Sequence, residues 1–340
     1  MDVFIAGFGV VGQGITEVIR DKQELFIKHF GEKVRIVGAF DTKSLALDPS
    51  GLDPDELLKR KDSLGKVGKD EVSDDIVKLL QDTEYDLLLE VTPTNIKDGG
   101  AGYMHIHTAL SAGRHVATSN KGPLALKFRE LTELAERNRV HLRYEASVGG
   151  AMPVINLSRE LLMGEEIASM RGILNGTCNF ILHRMKEERF SFQFALREAQ
   201  ELGYAETDPS YDIDGIDSAC KLAILANAIF DRDVTYADVS RTGIRGISEE
   251  AVALAAEHKQ VIRLIGEVSK EKLEVAPRLV PAGHPLSIGG TLNIAQLLTD
   301  LAGDVTVVGR GAGRMETASA LLSDILAILK NGETRRDAKR

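Results

Sequence analysis

Polar residues are most concentrated in the run 203–221, which is the part of this chain best equipped for chemistry. Its carboxylates are Glu206, Asp208, Asp212, Asp214 and Asp217. A calcium loop of the EF-hand type would explain such a cluster, but the required spacing, central glycine and terminal glutamate are missing. The run therefore favours a catalytic or substrate-binding region over a metal site.

Asp217 and Lys221 lie four positions apart on a helix that we predict to begin near Asp214. Residues at this spacing project from one face of a helix and can form an ion pair. The residues that follow are apolar, namely Leu222, Ala223, Leu225 and Ala226. This favours a buried ammonium over a surface ion pair, and a buried lysine is suited to proton transfer at neutral pH.

A glycine-rich motif lies directly between the first predicted strand and the first predicted helix. It reads Gly7, Phe8, Gly9, Val10, Val11, Gly12. Gly7 permits a tight turn, Gly9 lets backbone N–H groups approach a pyrophosphate, and Gly12 lets the helix pack closely on the strand. In this context the motif predicts a dinucleotide site in preference to a glycine turn that binds nothing.

Two further segments bear on the dinucleotide. Asp41 ends the second predicted strand, where a carboxylate can bind the adenosine ribose and favour NAD. Lys43 lies close enough to bind a 2′-phosphate, so NAD and NADP both stay open. Thr92, Pro93 and Thr94 follow the third strand at its carboxyl end, where open α/β sheets bind ligands, with a plain loop as the alternative.

The elements that must position these residues alternate along the amino-terminal part of the chain. We predict strands at 2–6, 34–40, 86–91, 114–118 and 140–146, and helices at 10–29, 102–110 and 123–138. Residues 41–74 are interpreted as an insertion of loops with one short helix. This alternation predicts an α/β fold with a Rossmann-type, doubly wound parallel sheet.

Beyond residue 150 the pattern changes to that of a second, α+β domain. Helices are predicted at 190–202 and 214–230, strands at 261–268, 273–280 and 305–308, and a last helix at 316–329. We predict a dinucleotide-binding domain at 1–135, completed by 306–330 returning from the carboxyl terminus, and a second domain at 136–305. Residues 331–340 are expected to form a frayed polar tail.

Composition limits the classes of function. The 340 residues are 43% apolar and can bury a substantial core, while a formal net charge of −9 disfavours nucleic-acid binding. No apolar run reaches the roughly 18 to 20 residues that span a bilayer, so we expect a soluble protein without a membrane-binding role. Residues 1–8 are typical of a strand and not of a signal peptide.

Cysteines and histidines often mark metal or redox sites, but their spacing in this sequence predicts neither kind of site. Cys178 and Cys220 have no partner at zinc-finger spacing and cannot build a disulfide framework, which favours a reducing, cytoplasmic location. His105 and His107 are two positions apart on a predicted helix, where their side chains diverge. We interpret both histidines as structural.

The run 203–221 is similar to a signature of the homoserine dehydrogenases. The shared residues are Gly203, Tyr204, Ala205, Glu206, Asp208, Pro209, Asp212, Gly215, Asp217 and Lys221. The resemblance continues through 7–12, 118–123, 144–150, 172–180 and 309–318 and covers most of the chain. It implies reversible hydride transfer between L-homoserine and L-aspartate 4-semialdehyde with NAD or NADP, in the aspartate pathway to threonine, isoleucine and methionine.

The resemblance also implies roles for individual residues. Lys221 is similar to the general acid that protonates the aldehyde oxygen, and Asp217 to the group that orients this lysine and the substrate hydroxyl. Lys121 is similar to a second essential lysine beside the nicotinamide; which lysine moves the proton stays open, with Lys221 favoured. Glu206 and Asp212 resemble the groups that hold the substrate ammonium, since an ammonium in a partly dry pocket needs a counter-charge.

Turns before helices are implied to complete the substrate site. Asn175, Gly176 and Thr177 precede a helix, so their N–H groups can receive the substrate carboxylate. A plain helix cap is the alternative interpretation of that turn. Gly203 and Tyr204 are assigned to the same substrate site.

The resemblance extends to the cofactor, a cation and the assembly. Ser119 and Lys121 are assigned to the cofactor site, and so is Gly311, in a glycine cluster similar to a turn that closes over the cofactor. A Na⁺ site made from one carboxylate and backbone carbonyls is implied at Glu145, Val148, Gly150 and Met152. The second domain is implied to bind substrate and to form a homodimer.

Two alternatives to this enzyme remain. The first is another NAD(P)-dependent semialdehyde or amino-acid oxidoreductase. A phosphorylating one would need a nucleophilic cysteine, and Cys178 and Cys220 lack a partnering histidine nearby in sequence. The second is a sensor that binds NAD(P) without turnover. Some family members carry a kinase or a regulatory domain, for which this chain has no room, so threonine feedback through such a domain is not expected.

Overall fold

The computed structural model describes residues 1–72 and 75–337, except for the side chains of residues 331 and 333–337. The chain divides into two compact units. The first consists of Met1–Ser147 together with the chain from Gly313 onward, and the second is Val148–Ala312. Within the described part of the chain, no helix is both long enough and apolar enough to cross a membrane.

The first unit is built on a six-stranded sheet with the order β3-β2-β1-β4-β5-β6. Its strands are β1 (Asp2–Ala6), β2 (Arg35–Phe40), β3 (Leu45–Leu47), β4 (Leu87–Glu90), β5 (His115–Thr118) and β6 (Leu142–Arg143). All neighbours are parallel except β3, which pairs antiparallel with β2. The predicted doubly wound sheet is confirmed, and its antiparallel edge lies in the segment interpreted as an insertion.

Helices connect these strands in the order expected for a doubly wound fold. They are α1 (Val10–Asp21), α2 (Gln23–Phe30), α3 (Pro54–Leu64), α4 (Ile76–Asp82), α5 (Gly100–Ser111) and α6 (Lys121–Arg137). The single helix predicted at 10–29 is wrong, because the chain leaves the helical conformation at Lys22. The Gln23 amide, which donates to Ile19 O and Val34 O, holds this break.

The second unit is a mostly antiparallel sheet with the order β12-β11-β7-β9-β10-β8. Its strands are β7 (Ile167–Ile173), β8 (Ser240–Arg241), β9 (Gln260–Ser269), β10 (Leu273–Pro281), β11 (Leu292–Thr299) and β12 (Asp304–Arg310). Its helices are α7 (Val154–Asn156), α8 (Gly176–Glu188), α9 (Phe192–Glu201), α10 (Ser210–Ile213), α11 (Ile216–Phe230) and α12 (Glu249–Glu257). The predicted second α+β domain is thereby confirmed.

The last helix, α13 (Arg314–Asp337), belongs to the first unit and packs on α1. Gly14 allows this approach, because a Cβ there would lie 2.9 Å from the Arg314 backbone oxygen. Arg314 also pairs with Glu17 at 2.6 Å. The apolar side of α13 joins the core that β1, β2, β4 and α1 form. Residues 338–340 of the predicted tail lie outside the described residues.

Candidate active site

Helix α11 carries a buried ion pair. Every residue of α11 from 217 to 227 is buried, and the side chains of Asp217 and Lys221 lie on the same face, one turn apart. Lys221 Nζ donates to Asp217 Oδ2 at 2.7 Å and to the backbone carbonyl of Leu174 at 2.7 Å. An ammonium has three N–H donors. Among the described residues, Lys221 therefore retains one N–H for a further acceptor.

Asn175 connects this ion pair to a second carboxylate. Its Nδ2 donates to Asp217 Oδ2 at 2.9 Å and to Asp212 Oδ1 at 2.7 Å. Its Oδ1 accepts the N–H of Cys178 at 2.8 Å and so caps α8. The helix-cap interpretation of Asn175 is therefore correct, and the same side chain also joins the two acids. We call Asn175, Asp212, Asp217 and Lys221 the carboxylate cluster.

The carboxylate cluster has groups that suit an amino-acid substrate. Asp212 and Asp217 supply two carboxylates, and Lys221 supplies one ammonium. A carboxylate in a partly buried region is a favourable partner for the ammonium group of a ligand. Asp212 is the less buried of the two acids and is therefore the one that such an ammonium can approach.

Two residues that the sequence did not single out support the cluster. The Leu174 carbonyl accepts from Lys221 and also from the Asn293 amide at 3.0 Å, so it is fixed from two sides. A Cβ on Gly176 would lie 2.6 Å from Thr291 O, so only glycine allows this close packing. The contacts of Asn293 with Leu174 and of Thr291 with Gly176 join positions more than one hundred residues apart, and no local pattern signals them.

Further residues that the sequence assigned to the substrate lie around the start of α8. Thr177 Oγ1 donates to the Tyr204 carbonyl at 2.8 Å, and the Tyr204 ring lies 4.9 Å from that of Phe180. The turn containing Gly203 is thereby held next to the start of α8. Glu206, in contrast, is exposed, and its backbone carbonyl accepts from Gln200.

Cys178 is buried beside the carboxylate cluster, where its thiol donates to the Asp212 carbonyl at 3.2 Å. Burial, reinforced by the nearby Asp212 and Asp217 carboxylates, raises the pKa of the Cys178 thiol well above its ordinary value. A thiolate, and not a thiol, is the nucleophile in cysteine catalysis. These surroundings argue against covalent catalysis by Cys178.

This environment predicts that Cys178 resists alkylation in the native protein. At pH 8.5 about half of a free thiol is ionised, whereas the raised pKa keeps Cys178 protonated. We expect iodoacetamide to leave Cys178 unmodified in the native protein, as read by peptide mass spectrometry, and to modify it fully in guanidinium chloride. Rapid native modification accompanied by loss of activity would instead support a cysteine nucleophile.

In the first unit, the GxGxxG motif forms the turn from β1 into α1. A Cβ on Gly12 would lie 2.2 Å from Gly7 O, so helix and strand cross too closely for any side chain there. Around Gly9, by contrast, an added Cβ would meet no atom within 4 Å. Phe8 is fully buried beneath the turn, whereas Val10 is exposed on it. Val11 lies half-buried in the first turn of α1.

Two features of this turn suit the pyrophosphate of a dinucleotide, namely the open space around Gly9 and the amino terminus of α1. The first N–H groups of a helix have no partner within the helix, and the helix dipole favours an anion at that end. Gly9 is the N-cap residue of α1, so these N–H groups begin beside it. The sequence-based interpretation of the motif thus agrees with the local geometry.

Asp41 at the end of β2 is buried and already surrounded by donors. Its Oδ1 accepts the N–H groups of Lys43 and Ser44 at 2.8 and 2.9 Å, and its Oδ2 accepts Lys61 Nζ at 2.5 Å and the Val67 N–H at 3.2 Å. Burial alone would raise the pKa of the Asp41 carboxyl, but the Lys61 ammonium and the N–H donors outweigh it and lower that pKa. Lys61 therefore balances the charge of Asp41.

The loops after β4 and β5 carry the other first-unit residues that the sequence assigned to the cofactor. Thr92 is followed by Pro93 and Thr94, and the Thr92 N–H and hydroxyl both donate to Glu90. The Ser119 N–H donates to the Glu90 carbonyl at 3.2 Å, and Lys121 is the first residue of α6. Both loops lie at the carboxyl edge of the sheet, where β4 lies between β1 and β5.

The proposed cation residues and Gly311 are distributed over both units. Glu145 is buried in a turn of the first unit. In the second unit Val148 and Met152 are buried, and Gly150 and Gly311 lie next to each other, with Gly311 also against the Asn293 side chain. Among the residues that the structure describes, no group of three or more His, Cys, Asp or Glu side chains could hold a metal ion.

Comparison with known proteins decides the family. The family model described as "Homoserine dehydrogenase, NAD binding domain" matches residues 7–145, and the one described as "Homoserine dehydrogenase" matches residues 153–326. The chain belongs to the homoserine dehydrogenase family. The resemblance noted in the sequence is therefore confirmed, and the first unit contains the NAD(P)-binding domain of the family.

Relatives that align over nearly their whole length include two homoserine dehydrogenases. The enzyme of Methanocaldococcus jannaschii is 46% identical over 334 residues, covering 96% of this chain and 98% of the relative. The NAD(+)-dependent homoserine dehydrogenase of Pseudomonas canavaninivorans is 37% identical over 346 residues, covering 98% of this chain and 97% of the relative. The alternative oxidoreductases and the sensor are not favoured by these matches.

Solved structures of homoserine dehydrogenases share the fold. One is a crystal structure of an Archaeoglobus fulgidus protein assigned as a homoserine dehydrogenase. It is 48% identical to this chain with a TM-score of 0.90, and the match covers 97% of this chain and 99% of that one. A hyperthermophilic archaeal homoserine dehydrogenase mutant in complex with NADPH has a TM-score of 0.85 and 30% identity, covering 97% and 98%. The expected α/β fold with a second domain is thus confirmed.

Proposed function

We propose that this protein interconverts L-homoserine and L-aspartate 4-semialdehyde, with Lys221 as the group that exchanges the proton. The observation that carries the proposal is the remaining N–H donor of Lys221 in the carboxylate cluster. NAD(P)H supplies the hydride when bound. As the aldehyde carbon accepts that hydride, the Lys221 ammonium donates a proton to the aldehyde oxygen, and the product is the alcohol.

Asp217 and Leu174 orient the lysine for this transfer. Their two acceptor oxygens, both 2.7 Å from Nζ, fix the direction of the third N–H. Asp217 also supplies the counter-charge of the Lys221 ammonium. We assign the proton to Lys221 and a supporting role beside the nicotinamide to Lys121, since only Lys221 belongs to the carboxylate cluster.

Substrate binding is assigned to the same cluster. The partly buried Asp212 carboxylate is suited to the homoserine ammonium, with Glu206 as a second, exposed carboxylate. The N–H groups at Gly176 and Thr177, in the first turn of α8, are suited to the substrate carboxylate. Gly203 and Tyr204 adjoin this turn through the hydrogen bond from Thr177 to the Tyr204 carbonyl.

The cofactor residues are assigned to the first unit, apart from Gly311. The turn of Gly7, Gly9 and Gly12 binds the pyrophosphate, and the loops after β4 and β5 bind the nicotinamide half. Because Lys61 balances Asp41 and Lys43 lies nearby, the site suits the ribose of NAD or the 2′-phosphate of NADP. The domains we propose are 1–135 with 306–330 for the dinucleotide and 136–305 for substrate.

A Na⁺ ion is a further proposal for the segment from Glu145 to Met152. Glu145 supplies a buried carboxylate, and the backbone carbonyls of Val148, Gly150 and Met152 are the other donors. Oxygen donors of this kind suit a hard cation. The ion would stabilise this turn and take no part in proton transfer.

We also propose a homodimer, formed through the sheet of the second unit. Leu298 on β11 and Val308 on β12 lie on the same face of that sheet and are each about half exposed. Burying such apolar side chains against a second copy would be favourable. Cys178 and Cys220 are buried and neither forms a disulfide, which supports a reducing compartment such as the cytoplasm.

The experiment that tests this function is an absorbance assay at pH 9. The purified protein is expected to reduce NAD⁺ or NADP⁺ at 340 nm (the reduced nicotinamide band) with L-homoserine as substrate, and to reverse the reaction with L-aspartate 4-semialdehyde. L-Threonine and L-serine serve as control alcohols of similar charge. Binding of NADH without turnover of any of these substrates would contradict the proposal and favour a sensor.

A further inference from the structure

A fully buried glutamate lies directly under the two loops assigned to the nicotinamide half of the cofactor. Glu90 ends β4 after three apolar residues, and its side chain has no exposed surface. Burying a carboxylate is costly unless its oxygens accept hydrogen bonds or it is paired. The unfavourable free energy of burying this carboxylate at the carboxyl edge of the sheet must therefore be offset by the hydrogen bonds that it accepts.

Glu90 joins the two loops by hydrogen bonds from its carboxylate and its backbone carbonyl. Its Oε1 accepts the N–H of Thr92 at 3.2 Å and also the Thr92 hydroxyl. The Thr118 hydroxyl donates to the Glu90 backbone carbonyl at 2.8 Å, lies 3.2 Å from Glu90 Oε2, and accepts the Asn120 N–H at 3.0 Å. Glu90 thus connects the start of the loop after β4 with the loop after β5.

Asn120 extends this connection to α6, whose first residue is Lys121. Its Oδ1 accepts the Gly122 N–H at 3.1 Å as the N-cap, and its Nδ2 lies 3.3 Å from Thr92 Oγ1. The position of Lys121 therefore depends on Glu90 through Thr118 and Asn120. The chain of contacts runs from the carboxylate to the lysine assigned to the nicotinamide.

His105 on α5 completes the surroundings of Glu90. Its Nδ1 lies 3.5 Å from Glu90 Oε1, and its ring makes an edge contact with Phe40 at 5.4 Å. Gly102, one turn earlier, lets α5 approach, since a Cβ there would lie 2.3 Å from Asn120 Nδ2. His105 therefore packs beside Glu90 in the buried interior without a hydrogen bond from its Nδ1 among the described residues, in line with its interpretation as structural.

We infer that Glu90 is a positioning residue of the nicotinamide site, which sets the loops of Thr92 and Lys121 through Thr118 and Asn120. This inference deepens the proposed function and rests on it. The sheet order places β4 and β5 on the side of β1 opposite β2, where Asp41 marks the adenosine half. The two loops that Glu90 joins are consequently those that the nicotinamide half reaches.

The test compares cofactor binding in four variants of the full chain. Glu90→Gln leaves one of the two loops without a carboxylate acceptor, and Thr118→Val removes the link to Asn120. We expect each to raise the Kd for NADH and NADPH, measured by fluorescence titration, about tenfold. Thr118→Ser keeps the hydroxyl and is expected to stay within about twofold of wild type. Glu84→Gln, at an exposed glutamate three positions before β4 begins, is the matched control.

Kinetics separate positioning from simple destabilisation. The inference predicts a raised KM for the cofactor with an unchanged KM for L-homoserine at saturating cofactor. A lower melting temperature with cofactor Kd values within twofold of wild type in both Glu90→Gln and Thr118→Val would overturn it. If Glu90→Gln does not fold, the Thr118 pair decides. The titrations need no turnover, so an inactive wild type would contradict the proposed function and leave this test intact.

Discussion

Replacing Lys221 by Met is expected to lower kcat for L-homoserine oxidation by about 10²- to 10⁴-fold, the range for loss of a positioned acid or base. Met keeps the length of the side chain and removes the ammonium, so the proton has no partner beside the substrate oxygen. The Kd for NADH is expected to stay within about twofold, because the GxGxxG turn is in the other unit. Stopped-flow absorbance and fluorescence titration measure the two quantities.

Further variants separate the loss of activity from the loss of stability that breaking the Asp217–Lys221 ion pair causes. Lys221→Met leaves the buried Asp217 carboxylate without its ammonium and is expected to lower the melting temperature. The double variant with Asp217→Asn removes both charges, so stability should recover while activity stays low. Lys270→Met, on an exposed lysine of the same unit, is the matched control and should behave as wild type. Activity near that of wild type in Lys221→Met would refute the assignment.

The second large effect is expected at the glycine turn. Gly9→Ala should raise the Kd for NADH and NADPH by about 100-fold, because its methyl group would occupy the space needed for the backbone to approach the pyrophosphate. The fold itself should tolerate the change, since Gly9 has φ −83° and an added Cβ meets no atom within 4 Å. The melting temperature without cofactor should therefore match that of wild type.

Gly12→Ala provides the contrast. Its Cβ would lie 2.2 Å from Gly7 O, so β1 and α1 must separate and the melting temperature should fall without any cofactor. Differential scanning fluorimetry with and without NADH distinguishes the two variants. A Gly9→Ala protein that binds NADH as tightly as wild type would show that the dinucleotide does not contact this turn.

Much of the fold was predictable because its signals are local. The strands of the first unit are apolar runs bounded by turn residues, and α11 is an apolar stretch long enough to exclude a strand. The break at Lys22 and the short β3 escaped prediction, since they depend on contacts with Val34 and with β2. Strands β7 and β11 were also missed, although they lie beside each other near the middle of the second sheet.

The candidate site was predictable only in part. The spacing of Asp217 and Lys221 gave a correct ion pair, because helical periodicity fixes it. The contact of Leu174 with Lys221, and that of Asn293 with Leu174, join chain segments far apart in sequence and had no local signal. Glu90 did have a local signal, because it is a single acid at the end of an apolar strand. Only its burial in the structure indicates that it has a positioning role.

The most direct test of proton transfer by Lys221 is a crystal structure with L-homoserine and NAD⁺ bound. We expect the substrate hydroxyl oxygen within hydrogen-bond distance of Lys221 Nζ, about 2.6–3.2 Å, and the substrate ammonium next to Asp212. A substrate hydroxyl bound away from Lys221, with Nζ still donating only to Asp217 and Leu174, would contradict the role of Lys221 as the group that exchanges the proton.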